Sequence, residues 1–263
     1  MQKLKLSPLK IIPVLLAVMI TFSCSKDSKD NDDDDYTCTS CASAPVAVAA
    51  NNTLTKGIYK GVLIGSTGTL IFDIQNTTNT ITGTMVIDGK VVDLTCEAVE
   101  IDLSADFEAS LTGTLNGYLV IIRFHIEKGG INPTIVEAVI PEHPDAVFLV
   151  AKETSDALLE CYEGTYTITG DWTEEGTYNF LVTRKTGGGT WSAIAAENGF
   201  PEEATYGKGY MSGNNIVDPN RRGLGADVTI GTVNRHTISG SFVDRYDDDD
   251  EKVTITHKGK RTL

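Results

Sequence analysis

From Thr53 onward the chain is built of short runs rich in Val, Ile, Thr, Tyr and Phe, punctuated by Gly, Asn and Asp. That punctuation constrains the fold most, because runs of this length and make-up are strands and short breaks join antiparallel neighbours. "GYLVIIRFHIEKGG" is the clearest case. Tyr118, Val120, Ile122, Phe124 and Ile126 share one face of an extended chain, while Arg123, His125 and Glu127 share the other. "IDGK" (87–90) and "LNGY" (115–118) place Asp-Gly and Asn-Gly between such runs, pairs that accept the positive φ of a two-residue hairpin. Only "KETSDALLECYEG" (152–164) has the spacing of a helical turn. The pattern predicts an all-β body.

The body also repeats itself. "GIYKG" at Gly57 answers "GTYTI" at Gly164, "GTLIFDI" at Gly68 answers "GTYNFLV" at Gly176, and "TGTMVI" at Thr82 answers "GGTWSAI" at Gly188. "SLTGTLNGYLVIIRFHIEKG" from Ser110 resembles "TISGSFVDRYDDDDEKVTITHKG" from Thr237, at a larger offset. These matches predict two tandem, duplicated antiparallel units, sandwich- or barrel-like, over 53–152 and 157–263. The larger offset predicts an inserted loop in the second unit, at about 198–225. Gly-Thr-aromatic strand starts also recur by chance in β proteins.

The N-terminal fifth has a different character. "MQKLKLSPLK" carries Lys3, Lys5 and Lys10, and "IIPVLLAVMITF" follows as an apolar run too short to span a bilayer. Ser23 and Cys24 end the stretch, which resembles a bacterial lipoprotein signal, although Thr21 and Phe22 depart from the usual pattern. The resemblance implies a signal peptide at 1–23, an acylated mature N-terminus at Cys24, and attachment to outer-membrane lipid. "SKDSKDNDDDD" then resembles the acid-rich tether of surface lipoproteins of the Bacteroidota, which implies a lipid-anchored protein facing the cell exterior. Physically, 24–52 reads as a disordered, self-repelling linker with nothing to bury.

Charge agrees with an exported body. The formal net charge is −14; without the three signal lysines it is −17, of which the tether holds −4 and the β body −13. Such a surface repels nucleic acid, so a nucleic-acid partner is excluded. An exported compartment permits disulfides. Cys96 and Cys161 are a candidate pair, with buried free thiols as the alternative. Cys38 and Cys41 form "CTSC", where Ala42 replaces the histidine that haem attachment needs and no second ligand pair is spaced for zinc. An exposed disulfide or cross-linking thiols fit better.

No catalytic signature is present. His125, His143, His236 and His257 stand far apart, and neither a nucleophile elbow nor a phosphate loop occurs. "DRYDDDDEK" offers Asp247 and Asp249 as a weak calcium candidate, but the alternating spacing and turn glycine of a calcium loop are missing, so a solvated hairpin tip is the plainer reading. No cofactor is implied. Aromatic residues are denser in the second unit, with eleven from Tyr162 onward against six between Gly57 and Val150. Trp172, Tyr206, Tyr210, Arg221 and Arg222 are the candidate binding residues, since rings and arginines on long loops dominate recognition; Trp191, inside a strand pattern, reads as core. The expected function is a non-enzymatic binding module for a glycan, protein or small ligand. A carboxylate-dependent surface hydrolase and a structural assembly lipoprotein are the alternatives.

Overall fold

The computed structural model describes residues 36–97, 99–219, 227–246 and 251–263. The first half contains β1 (Gly57–Ile64), β2 (Gly68–Ile74), β3 (Ile81–Ile87), β4 (Lys90–Thr95), β5 (Phe107–Leu115), β6 (Tyr118–Glu127), β7 (Ile131–Val139) and β8 (Val147–Glu153). They form one antiparallel sheet, each strand beside the next in sequence, and β8 returns to pair with β1. β7 and β8 approach each other without a hydrogen-bonded ladder, so this sheet is a nearly closed barrel. Pro133 on β7 lacks the N–H that a ladder would need, which suits it to an unpaired edge.

The second half repeats the plan with β9 (Leu158–Thr169), β10 (Thr173–Lys185), β11 (Gly188–Glu197), β12 (Thr205–Ser212), β13 (Asn215–Asp218), β14 (Val228–Asn234), β15 (Thr237–Tyr246) and β16 (Glu251–Arg261). Here β16 pairs with β9 and the barrel closes fully. No α-helix occurs among the described residues. The segment read as a helical turn is instead the end of β8, a tight Thr154–Ala157 bridge and the start of β9. Leu159 and Cys161, two apart on one face of β9, are both buried, so sheet pairing overrides the helical spacing.

Both expected hairpins are present, with Asp88-Gly89 and Asn116-Gly117 at positive φ. On β6, Val120, Ile122, Phe124 and Ile126 point into the first core, but Tyr118 at the turn is 66% exposed. The first three sequence matches fall on equivalent strands: β1 with β9, β2 with β10, β3 with β11. The fourth does not, since it equates β5–β6 with β15–β16, the fifth and sixth strands of one barrel with the seventh and eighth of the other. Among the described residues each half has eight strands, and much of the expected loop at 198–225 is strand. Its described part is a short 3₁₀ turn (Pro201–Glu203) followed by β12 and β13, which the barrel needs to close.

The first barrel is filled by apolar side chains, among them Phe124 with Tyr59 against it edge-on and Phe72 tilted beside it. The two barrels share an apolar seam. Val62 and Ile64 of β1 and Leu149 of β8 meet Leu159 and Cys161 of β9, Leu181 of β10 and Ile194 of β11. β1 is consequently buried along its whole length, one face to its own core and the other to the seam.

The tether expected over 24–52 is not free of the body throughout. From Tyr36 the chain lies against it: the Tyr36 hydroxyl donates to Arg261 O (2.8 Å), and Val46 N donates to the Glu153 carboxylate (2.8 Å). Cys38 and Cys41 form a disulfide in this segment. Cys96 and Cys161 are free thiols, the second of the two alternatives, so the candidate pair does not form. Cys161 faces the seam, whereas Cys96 follows β4, three strands from β1 in the first sheet. Three inter-strand steps span roughly 14 Å, beyond the reach of a disulfide. Burial pushes the Cys161 thiol up to about 12.

Candidate functional site

Alternation along each strand decides what enters the second barrel. On β9, Glu160, Tyr162, Tyr166 and Ile168 are on the inward face; on β10, Tyr178, Phe180, Val182 and Arg184; on β16, Ile255, His257 and Arg261. Antiparallel register sorts these residues by depth. Glu160, Arg184 and Arg261 lie at one end, and Tyr166, Ile168, Tyr178 and Ile255 at the other.

The first end is braced by charge and by the N-terminal segment. The buried Glu160 carboxylate accepts from Arg184 Nε (2.5 Å) and the Tyr162 hydroxyl (2.9 Å), and forms an ion pair with Arg261 Nη1 (3.0 Å). Arg261 Nη2 donates to Ala42 O (2.6 Å), and Cys38 N donates to His236 Nδ1 (3.0 Å). These contacts brace the barrel around Glu160, while Arg184, 29% exposed, borders an open pocket of about 430 Å³ with Lys185, Met211 and Asn214. At mid-depth, Phe180, Trp191 and His257 fill the barrel. His257 Nε2 sits 2.9 Å from Ile230 O; a carbonyl only accepts, so Nε2 carries the proton. Trp191 is core, as expected, with Nε1 donating to Val217 O (2.8 Å).

The opposite end is a mouth of about 310 Å³. Tyr166, Tyr178 and Phe242 supply aromatic walls, Ile168, Ile255 and Ala195 aliphatic ones, and Glu174, Glu197 and Glu203 carboxylates. Tyr166 and Tyr178 meet edge to face, with centroids 6.4 Å apart and planes at 90°. The Tyr166 hydroxyl donates to Glu174 Oε1 (2.5 Å), fixing that ring and that carboxylate together. Gly176 makes the arrangement feasible: a Cβ there would lie 2.4 Å from the Tyr166 ring and 2.2 Å from Ala196 O. Small cavities at barrel mouths, apolar with a few polar groups, are the usual form of a ligand site.

The expected binding residues divide. Trp172 packs on the Tyr166–Ile168–Val253 cluster beside the mouth, and Tyr206, 61% exposed, lines it. Tyr210 does not belong. It pairs with Thr190 towards the Glu160 end, and its hydroxyl donates to the Asp227 carboxylate, which raises the phenol's pKa. Arg221, Arg222, Asp247, Asp249 and Cys24 lie outside the described residues. Among the described residues, no group of three His, Cys, Asp or Glu side chains could hold a metal ion. Tyr166, Tyr178, Phe242 and Glu174 were not singled out from the sequence. Their signal was parity within β9, β10 and β15, which sends them inward.

A larger cleft of about 840 Å³ runs between the barrels and contains Asp88, Glu142, His143, Asp145, Glu163 and Glu197. Two of its carboxylates hold loops in place. Asp88 accepts from Ser66 Oγ (2.6 Å) and Thr67 N (3.3 Å), and these bonds, the serine's first, lower its pKa. Glu163 accepts from Gly68 N (2.5 Å), tying the barrels together beside Asn179, which donates to Leu63 O (2.6 Å) and accepts from Gly164 N (2.9 Å). Burial raises the Glu163 pKa above 4.5, and the bond from Gly68 only partly opposes this. The folded state then holds this proton more tightly than the unfolded chain, so stability falls as pH rises from near 4.5 through the folded pKa. Glu163→Gln, which is neutral throughout and can still accept from Gly68 N, should gain stability over the parent as pH rises through that window. Urea unfolding at a series of pH values checks this; parallel curves for the two proteins would refute it.

No family model matches the sequence, and no curated protein matches it. Among solved structures, the crystal structure of MucB in complex with MucA(peri) is similar to this chain at 10% identity, over 82% of this chain and 92% of that one. The TM-score is 0.17, so the likeness carries no argument about fold or partners.

Proposed function

We propose that this chain is a lipid-anchored cell-surface binding module, non-enzymatic, which holds a small ligand in the mouth of its second barrel. One observation carries the reading: two barrels of the same plan differ in their interiors. The first is filled with apolar side chains, whereas the second is braced at one end by the buried Glu160 cluster and opens at the other onto an aromatic cavity. A fold that needs only stability fills both. The cleft between the barrels favours a hydrolase less, because Asp88 and Glu163 are engaged by the backbone and by neighbouring hydroxyls.

The anchor rests on the signal-like segment ending at Cys24. Two or three acyl chains hold a protein stably at a bilayer, whereas one holds it marginally. Cys24→Ser should therefore move the protein from the membrane fraction to the soluble one, and intact-mass spectrometry of the parent should find the acyl chains on Cys24. Unchanged membrane retention of Cys24→Ser would contradict the anchor.

The binding role is tested on the unacylated chain, starting at residue 24 and carrying Cys24→Ser. Fluorescence anisotropy of 2-naphthol, a small neutral aromatic probe, should rise saturably with this protein. Ala195→Phe, which fills the mouth from β11, should remove the effect while the urea midpoint stays unchanged. Equal binding by Ala195→Phe, or no saturable binding by the parent, would refute the site.

A further inference from the structure

We propose that the mouth of the second barrel selects organic cations, specifically a quaternary ammonium group of the size of choline's. This rests on the reading of the mouth as a ligand site and narrows it to a chemical class. The lining residues include four aromatic rings, those of Tyr166, Tyr178, Tyr206 and Phe242, and three carboxylates, those of Glu174, Glu197 and Glu203; none of them is lysine, arginine or histidine. Charge complementarity alone therefore turns away anions.

The rings add a geometric preference. A cation is attracted to the face of an aromatic ring within about 6 Å of its centroid, most strongly where water is excluded. Tyr166 and Tyr178 stand at 90° with centroids 6.4 Å apart, forming two walls of a corner, and Phe242 of β15 contributes a third side. A methylated ammonium presents an apolar, positively charged surface that suits such a corner. It donates no hydrogen bonds, so it needs none of the directed acceptors that a sugar or a primary amine requires. Glu174, oriented by the Tyr166 hydroxyl at 2.5 Å, places a full negative charge beside the ring that bears it. The net charge of −13 on the β body raises the local concentration of cations further. An inorganic divalent ion fits poorly, since no group of three metal-binding side chains exists among the described residues.

The test compares choline with 3,3-dimethyl-1-butanol, its neutral isostere of the same shape, by isothermal titration of the unacylated chain. Choline should bind about tenfold more tightly than the isostere. Glu174→Gln and Glu203→Gln should each weaken choline about threefold and leave the isostere unchanged. Glu203 lies in an exposed 3₁₀ turn, so its variant reads charge without disturbing the walls. Added sodium chloride should weaken choline alone. If the isostere binds as tightly as choline, or if neither binds while 2-naphthol still does, the cation preference is overturned and the small-ligand site stands. If none of the three binds, the site itself fails.

Discussion

Replacing Glu153 with alanine should lower the unfolding free energy by about 3–5 kcal/mol, the usual cost of leaving a buried charge without its partner. Lys60 Nζ lies 2.5 Å from Glu153 Oε2, and the two side chains are 5% and 0% exposed. Lys60 also donates to Leu159 O (3.2 Å), while Glu153 accepts from Leu159 N (3.2 Å) and Val46 N (2.8 Å). One carboxylate thus joins β1, β8, the first residues of β9 and the N-terminal segment at the seam between the barrels. Removing it strands an ammonium and two backbone donors together. The double variant Lys60→Met, Glu153→Leu should recover part of the loss, because it removes both charges but leaves Val46 N and Leu159 N without their acceptor. Urea unfolding of the parent, both single variants and the double variant measures the cycle. A loss below about 1 kcal/mol for Glu153→Ala would show that the pair contributes as a surface bridge does.

Phe124→Ala should cost about 3–5 kcal/mol, by the loss of buried ring surface and the cavity left behind. Phe124 is fully buried on β6, with Tyr59 at 5.3 Å in an edge contact and Phe72 at 4.5 Å in a tilted one. Neither neighbour can collapse into the space readily. The Tyr59 hydroxyl is held by Thr55 O (2.7 Å), and Phe72 packs beneath Gly83, where a Cβ would lie 2.7 Å from its ring. Phe124→Leu, which keeps most of the volume, should cost markedly less in the same urea measurement.

These two residues mark the limits of what the sequence made legible. Phe124 sits in the cleanest alternation in the chain, so its inward face and its core role follow from period two alone. The hairpins at Asp88-Gly89 and Asn116-Gly117 were readable for a similar local reason. Lys60 was not readable, because a lysine in a strand normally marks the solvent face. Its burial arises only when β1 becomes the strand on which the second barrel packs.

The repeat was legible where a glycine-led strand start is distinctive, on the first three strands of each half. It failed at the fourth match, on which the expected insertion rested, because one alternating hairpin resembles another anywhere in a meander. Of the expected loop's tyrosines, Tyr206 lines the mouth but Tyr210 lies towards the Glu160 end and bonds Asp227, while Tyr166 and Tyr178 wall the mouth from strands legible only as repeat markers. Tyr166 and Tyr178 meet through the β9–β10 hairpin, but Ile255 and Phe242 reach them only when β16 closes on β9, a pairing no local pattern encodes.

The methyl NMR spectrum of the unacylated chain, recorded with and without saturating 2-naphthol, tests the central claim most directly. Ile168 and Ile255 line the mouth, and Ile74 and Ile122 lie in the filled first barrel. A bound aromatic ring should shift the methyl signals of Ile168 and Ile255 and leave those of Ile74 and Ile122 in place. Unmoved signals from Ile168 and Ile255, or shifts confined to the first barrel, would contradict a ligand site in the second.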